Sequence, residues 1–260
     1  MTAPLDGSTR PFGGRRDAPT VRRMATVAAA LGESLCARVV FIGAAVLPLL
    51  ETEDAVLGSA RPTKDVDGVI ATTTYTEKAR VEEEMRGRRF RHVQEPPTHL
   101  DRWRAPDDTI FDLVGCGAHA GGTGNAHDLW VIETAVVVDL PPRVRHASAV
   151  GLLLLKCDAY RDRGSKSPLQ SKDLADIVAL CATRPSLVAE VADAPSEVRA
   201  AIADTIRGVL DTPRARNALA THVEDREPLV PDLVEVVTER LRGFTHPGGT
   251  GASVDSSGRA

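Results

Sequence analysis

Every stretch of this 260-residue chain that reads as a strand falls before residue 147; from there to about residue 243 the apolar period is helical, broken by prolines. That order confines the chain to an α/β (α+β) layout, with a mixed-sheet core over 20–147 and a helical region over 148–243. The strongest strand signal is Arg38 to Gly43, a continuous apolar, β-branched run that suits a central strand covered on both faces. Further strands are expected at 65–71, 90–93, 136–140 and 144–146, with a hairpin of 102–105 and 109–114 around Pro106-Asp107-Asp108. Apolar spacing predicts a helix from Thr20 to Cys36, and short helices are expected at 46–50 and 129–135. Thr74-Tyr75-Thr76-Glu77 is a capping box that starts a charged helix to about Arg86. Ser148 caps a helix through about Arg163, and Ser171 caps another over 172–182. Residues 1–19 read as a disordered arm and 244–260 as a Gly/Ser-rich disordered tail.

Composition narrows the function classes. The net charge of -4 provides no global basic field for nucleic acid, so any such contact must be a local patch such as Arg86-Gly87-Arg88-Arg89 or the N-terminal arm. The longest apolar runs, such as Gly151 to Leu155, are too short to span a bilayer, and the N-terminus lacks the apolar core of a secretory signal. Cys36, Cys116, Cys157 and Cys181 show no C-x-x-C spacing and read as core residues of a reduced, cytoplasmic protein. Lysine is scarce, with only five in the chain, and three of these lie in the motifs that follow.

The chemistry-bearing stretch is Arg61-Pro62-Thr63-Lys64-Asp65-Val66-Asp67-Gly68. In a strand, Asp65 and Asp67 share a face, where they repel unless water solvates them or a cation lies between. Mg²⁺ suits such a pair, because hard cations take carboxylate oxygens. An isolated D-x-D is more often a solvated strand entrance. Asp112, inside the apolar run Ile110 to Val114, adds a third carboxylate that needs a partner. Arg102 or Arg104 in the same hairpin would serve structurally, and a metal shared with Asp65 and Asp67 would serve functionally. Gly43, at the end of the preceding strand, makes a turn whose backbone amides are able to cradle phosphate.

These residues, in this order, resemble the polymerase-β-type nucleotidyltransferase core, and more specifically the AbiEii/AbiGii toxin-like nucleotidyltransferases, which include MenT-type toxins. The second half is similar too, with Lys156, Ala159, Arg161, Lys172-Asp173 and Asp176 across two helices, so that the resemblance covers about 38–182. It implies an enzyme that moves a nucleotidyl group from an NTP to an acceptor and releases pyrophosphate. Asp65 and Asp67 would hold one or two Mg²⁺ ions, with Asp112 completing the metal site or acting as general base towards the acceptor hydroxyl. Gly43, Ala44, Thr63, Lys64 and Lys156 would bind nucleotide, with Asp173 near the pocket orienting Lys156. The acceptor implied is tRNA, at its 3′ end, in a toxin–antitoxin system with a cognate antitoxin as partner. A small hydroxylated molecule, as in antibiotic nucleotidyltransferases, or a protein side chain is the alternative acceptor. A non-catalytic nucleotide- or partner-binding module is the alternative of another class.

One departure stands out: relatives commonly carry Gly-Ser or two glycines at the turn, where this chain has Gly43-Ala44-Ala45 and no hydroxyl. Structural roles compete at other positions. Lys156 is able to snorkel from a helix edge, and Asp173 to favour a helix N-terminus. Arg161 and Lys172 meet phosphate or pair with Asp158 or Asp176. His119 and His127 flank a glycine-rich loop, which lacks the Gly-Lys-Ser/Thr of a P-loop.

Overall fold

The computed structural model describes residues 16, 18–52, 63–72, 74–93, 101–116, 127–223 and 232–245. The expectations for most of the N-terminal arm, for Arg61, His119 and the glycine-rich loop, and for the tail beyond 245 lie outside those residues.

A mixed sheet of seven strands carries the first half. The strands are β1 (Val39–Ile42), β2 (Asp65–Ala71), β3 (Arg91–His92), β4 (Arg102–Arg104), β5 (Ile110–Cys116), β6 (Val136–Val138) and β7 (Val144–His146), in the spatial order β3-β4-β5-β2-β1-β7-β6. β2 runs parallel to β5, and β1 parallel to β7; the other neighbours are antiparallel. The apolar run in β1 does become an interior strand, with Val39, Val40 and Phe41 fully buried.

One sheet face is mainly apolar, with His146 buried in it opposite Phe41. Val39 and Phe41 of β1, Val66 and Ile70 of β2, and Phe111 and Leu113 of β5 point that way. Phe111 sits in the middle, its ring centroid 6.1 Å from those of both Phe41 and Phe90. Helices α1 (Pro19–Cys36) and α3 (Tyr75–Gly87) complete this layer. α1 presents Val21, Met24, Val27, Ala28, Leu31 and Leu35, the spacing expected of its buried stripe. α3 begins at the expected capping box: Thr74 Oγ1 accepts from the Glu77 amide, and the Glu77 carboxylate accepts from the Thr74 amide.

The opposite face is where the helical half closes over the sheet. α2 (Leu47–Leu50) and α4 (Asp128–Glu133) flank the strands, and α5 (Ala149–Ala159) lines a shared cavity with them. Ser148 Oγ accepts from the Gly151 amide, and Ser171 Oγ from the Leu174 amide, so both serine caps form as their positions suggest. α6 (Lys172–Thr183) packs on α5, and α7 (Leu187–Ala192), α8 (Ser196–Asp211), α9 (Pro213–Val223) and α10 (Leu233–Thr245) enclose them. None of the described helices is long and apolar enough to cross a membrane.

Several boundaries differ from the sequence expectation. α1 begins at Pro19 with Ala18 already buried, so these two residues belong to the helical layer, not to the arm expected over 1–19. α10 continues to Thr245 and buries Phe244, which the sequence assigns to the tail. The helix capped by Ser148 is regular only to Ala159; Tyr160–Gly164 forms a π turn, with the Ser165 amide donating to the Tyr160 carbonyl at 2.8 Å.

Candidate functional site

The register between β2 and β5 assembles the site. Asp67 pairs with Asp112, Asp65 with Ile110 and Val69 with Val114, so Asp65, Asp67 and Asp112 share one face. The row extends sideways: Ile42 of β1 lies opposite Asp67, and Arg102 of β4 opposite Asp112. Arg102 grips Asp112 with two hydrogen bonds, 2.8 Å to Oδ1 and 2.7 Å to Oδ2, and stands 3.8 Å from Asp65. The hairpin salt bridge weighed for Asp112 is therefore formed, and both its oxygens are engaged.

Asp67 is placed differently. Its pKa rises from 3.8 to about 6, because burial disfavours the charge and the Asp112 and Asp65 carboxylates add repulsion, against the opposing pull of Lys156 and Arg102. Gly43 makes this placement feasible. Its φ is 74°, and a Cβ there would lie 2.1 Å from Asp67 Oδ2. The carboxylate thus rests against the bare backbone of the turn. The turn closes on itself, with the Val46 amide donating to the Gly43 carbonyl and the Leu47 amide to that of Ala44. Those two amides are used internally, which narrows the phosphate cradle expected there.

Facing Asp67 is the cavity-side stripe of α5, Leu152, Leu155, Lys156 and Ala159, one side of a helix at three- and four-residue spacing. Between stripe and sheet lies a cavity of about 540 Å³. Its floor is Ile42, Gly43, Asp67, Val69 and Val114; its rim carries His127, Asp128, Asp158 and the π turn. Lys156 Nζ is 2.6 Å from Asp176 and 3.3 Å from Asp173, both deeply buried on α6. Burial alone would lower the Lys156 pKa, but Asp176, Asp173 and the more distant Asp67 outweigh it and raise the value above the ordinary lysine range. Burial likewise pushes Asp173 up, and the hydrogen bonds and charges of Arg163 and Lys156 overcome it, so its pKa falls below the usual carboxylate value. Lys156 is a fully charged, internally anchored cation rather than a snorkelling surface lysine.

The remaining sequence candidates divide. Ala44, Thr63 and Lys64 are not among the cavity's lining residues. Ala44 is buried, Lys64 is exposed, and Thr63 Oγ1 donates to the Asp65 carbonyl at 3.2 Å. Lys172 is exposed on α6, and Arg161 bonds Asp158 at 2.6 Å. Arg86 pairs with Glu82 and sits 5.7 Å from the Trp103 ring, so its part of the basic run has a structural partner. Sequence reasoning missed two features. His127 Nδ1 lies 2.7 Å from Asp158 Oδ2 on the rim, and Arg163 forms a two-pronged bond to Asp173. The glycine after Arg161-Asp162-Arg163 was the one available sign of a break in the helix.

Among the described residues, no group of three or more His, Cys, Asp or Glu side chains is spaced to hold a metal. Asp65 and Asp67 do fit a Mg²⁺ ion that draws its other ligands from water and substrate, as this ion commonly does. Their donors are hard oxygens; burial is the main cause of the raised proton affinity of Asp67, and the neighbouring Asp112 and Asp65 carboxylates add a repulsion that a cation would relieve. No protein-family model, curated protein or solved structure matches this chain.

Proposed function

We propose that this chain is a Mg²⁺-dependent nucleotidyltransferase. One observation carries the reading: Asp67, beside Asp65 and Asp112 on a single sheet face, lies across a nucleotide-sized cavity from the anchored cation Lys156.

Asp65 and Asp67 would hold Mg²⁺, which when bound would supply neutralisation of phosphate charge and polarisation of the phosphorus centre. Lys156 binds triphosphate oxygens as a point charge. Asp173 and Asp176 fix the Nζ position, so little reorganisation is needed when phosphate arrives. The apolar floor of Ile42, Val69 and Val114 excludes water and seats the sugar or base. An acceptor hydroxyl attacks the α-phosphorus; the new P–O bond forms as the bond to the β-phosphate oxygen breaks, and pyrophosphate leaves. Asp112 accepts the hydroxyl proton once Arg102 yields one of the two carboxylate oxygens it holds.

The acceptor in this reading is tRNA at its 3′ end, and the chain acts as the toxin of a toxin–antitoxin pair. A specific observation favours a second acceptor class. The cavity is lined by Asp67, Asp128, Asp158, Asp162 and Asp173 against Lys156, Arg161 and Arg163, an acidic excess that suits a small cationic acceptor. Incubation with Mg²⁺, each α-labelled NTP, and either total tRNA or a panel of aminoglycosides separates the two. Label in tRNA that is lost in Asp65→Ala supports the toxin reading. Label in an aminoglycoside moves the chain to the small-molecule class, and NTP binding without transfer to any acceptor identifies a binding module.

A further inference from the structure

The π turn at Tyr160–Gly164 does something that a continued α-helix would not. Positions 161 and 163 of a regular helix lie on nearly opposite sides, about 200° apart. Here Arg161, Asp162 and Arg163 all line the cavity, three successive residues that a regular helix would spread around its axis. Single π turns are frequent where a helix must re-aim side chains at a site.

The turn is seated by Gly164. A Cβ at that position would lie 2.3 Å from Ser171 Oγ and 2.7 Å from the Tyr160 ring. Ser171 is the cap of α6, so the bare Gly164 backbone packs directly on the start of the helix that carries Asp173. This brings Arg163 to Asp173, with Nε donating to Oδ2 at 2.8 Å and Nη2 to Oδ1 at 3.0 Å. Asp173 Oδ1 also accepts from Lys156 at 3.3 Å. Asp173 therefore holds the guanidinium and, together with Asp176, the ammonium at the same wall.

Asp173 and Asp176 are two buried carboxylates that share the single ammonium of Lys156, so Arg163 completes the charge balance of the cluster from its cavity side. Its partner Asp173 is 4% exposed, yet the Arg163 side chain itself is 73% exposed, so the guanidinium that steadies a buried carboxylate is also open to solvent. The two bonds use Nε and Nη2, while Nη1 carries two further donors. Arg163 and Lys156 both interact electrostatically with Asp67 across the cavity.

We propose that Arg163 and Lys156, aligned by Asp173, form a two-cation subsite for the β- and γ-phosphates of the NTP, with Asp173 and Gly164 as positioning residues. The proposal rests on the nucleotidyltransferase reading and adds Arg163 as a substrate-binding residue. The guanidinium supplies a planar fork for non-bridging oxygens, complementing the point charge of Lys156. The same fork then retains pyrophosphate as the α–β bond breaks.

Calorimetric titration of the full chain with tripolyphosphate in Mg²⁺ tests the subsite without an acceptor or a base. Arg163→Ala is expected to weaken binding about tenfold, from the loss of a charge-assisted contact, and Arg163→Lys to restore it only in part. Gly164→Ala is expected to weaken it by displacing the turn, while Arg207→Ala, whose ion pair is on α8, leaves it unchanged. A merely structural Arg163 would lower the melting temperature and leave tripolyphosphate affinity intact, which overturns the proposal. Absence of tripolyphosphate binding by the wild type overturns it as well. Transfer of label from α-labelled NTP, measured in parallel, reports on the nucleotidyltransferase reading separately: transfer by an Arg163→Ala variant with unchanged NTP affinity refutes the subsite and keeps the enzyme.

Discussion

Replacing Asp67 with Asn should stabilise the metal-free protein at neutral pH. Asp67 binds its proton more tightly when folded, with a pKa of about 6 against an ordinary 3.8. Below 3.8 both states are protonated and nothing is lost. Between 3.8 and about 6 the folded state holds a proton that the unfolded state has released, so stability falls as pH rises. At about 1.4 kcal/mol per pH unit, the full penalty above pH 6 is on the order of 3 kcal/mol. Asn keeps the shape and removes the charge, so Asp67→Asn should gain about 2–3 kcal/mol at pH 7.5, or roughly 5 °C or more in Tm for a chain of this size. The advantage should shrink towards zero near pH 4. Urea unfolding in EDTA at a series of pH values measures the difference directly. Added Mg²⁺ should raise the stability of the wild type and leave Asp67→Asn unmoved. A variant no more stable than wild type at pH 7.5, or a gain that does not change with pH, refutes the argument that burial and like charge strain Asp67.

Three further predictions follow from the same packing. Lys156→Met should cost about 3 kcal/mol in urea unfolding, because Asp176, 1% exposed at its side chain, loses its ion-pair partner; adding Asp176→Asn should recover part of that loss. Gly43→Ala forces a Cβ at positive φ to within 2.1 Å of Asp67 Oδ2, so it should lower Tm and reduce nucleotidyl transfer about a hundredfold through displacement of the carboxylate. His146 is fully buried, and burial, aided by Arg184 and opposed by its bond to the Ala147 carbonyl, lowers its pKa below the usual 6.5. Stability should therefore fall as pH drops below 6.5, where only the unfolded chain takes up the proton, and His146→Gln should flatten that slope in denaturant titrations.

Local signals were the legible ones. The capping box at Thr74, the serine caps at Ser148 and Ser171, and the apolar run of β1 each act over a few residues, and each formed as its chemistry requires. The face shared by Asp65 and Asp67 also follows from strand geometry alone. The pairing of β2 with β5 was not legible, because a parallel register depends on how the intervening α3 and β3–β4 pack. It is this register that sets Asp112 beside Asp67 rather than two residues away. The hairpin did permit an Arg102–Asp112 bond, and cross-strand pairing selects it over Arg104, which lies opposite Ile110. The π turn escaped because it arises from the seating of Gly164 on Ser171, a contact between segments. With it went Arg163, whereas Arg161, two residues earlier, carried the resemblance and bonds Asp158 instead. Lys156 and Asp173 were nameable from sequence; that Asp173 ties Arg163 to the Lys156–Asp176 pair was not.

The central claim is nucleotidyl transfer at the Asp65/Asp67 face, and comparison of α- and γ-labelled NTP tests it most directly. With Mg²⁺ and the correct acceptor, α-label should join the acceptor while γ-label appears only in pyrophosphate, and Asp65→Ala should abolish both. Transfer of γ-label to an acceptor would instead identify a phosphotransferase. Transfer of α-label undiminished in Asp65→Ala and Asp67→Asn would place the chemistry elsewhere in the molecule.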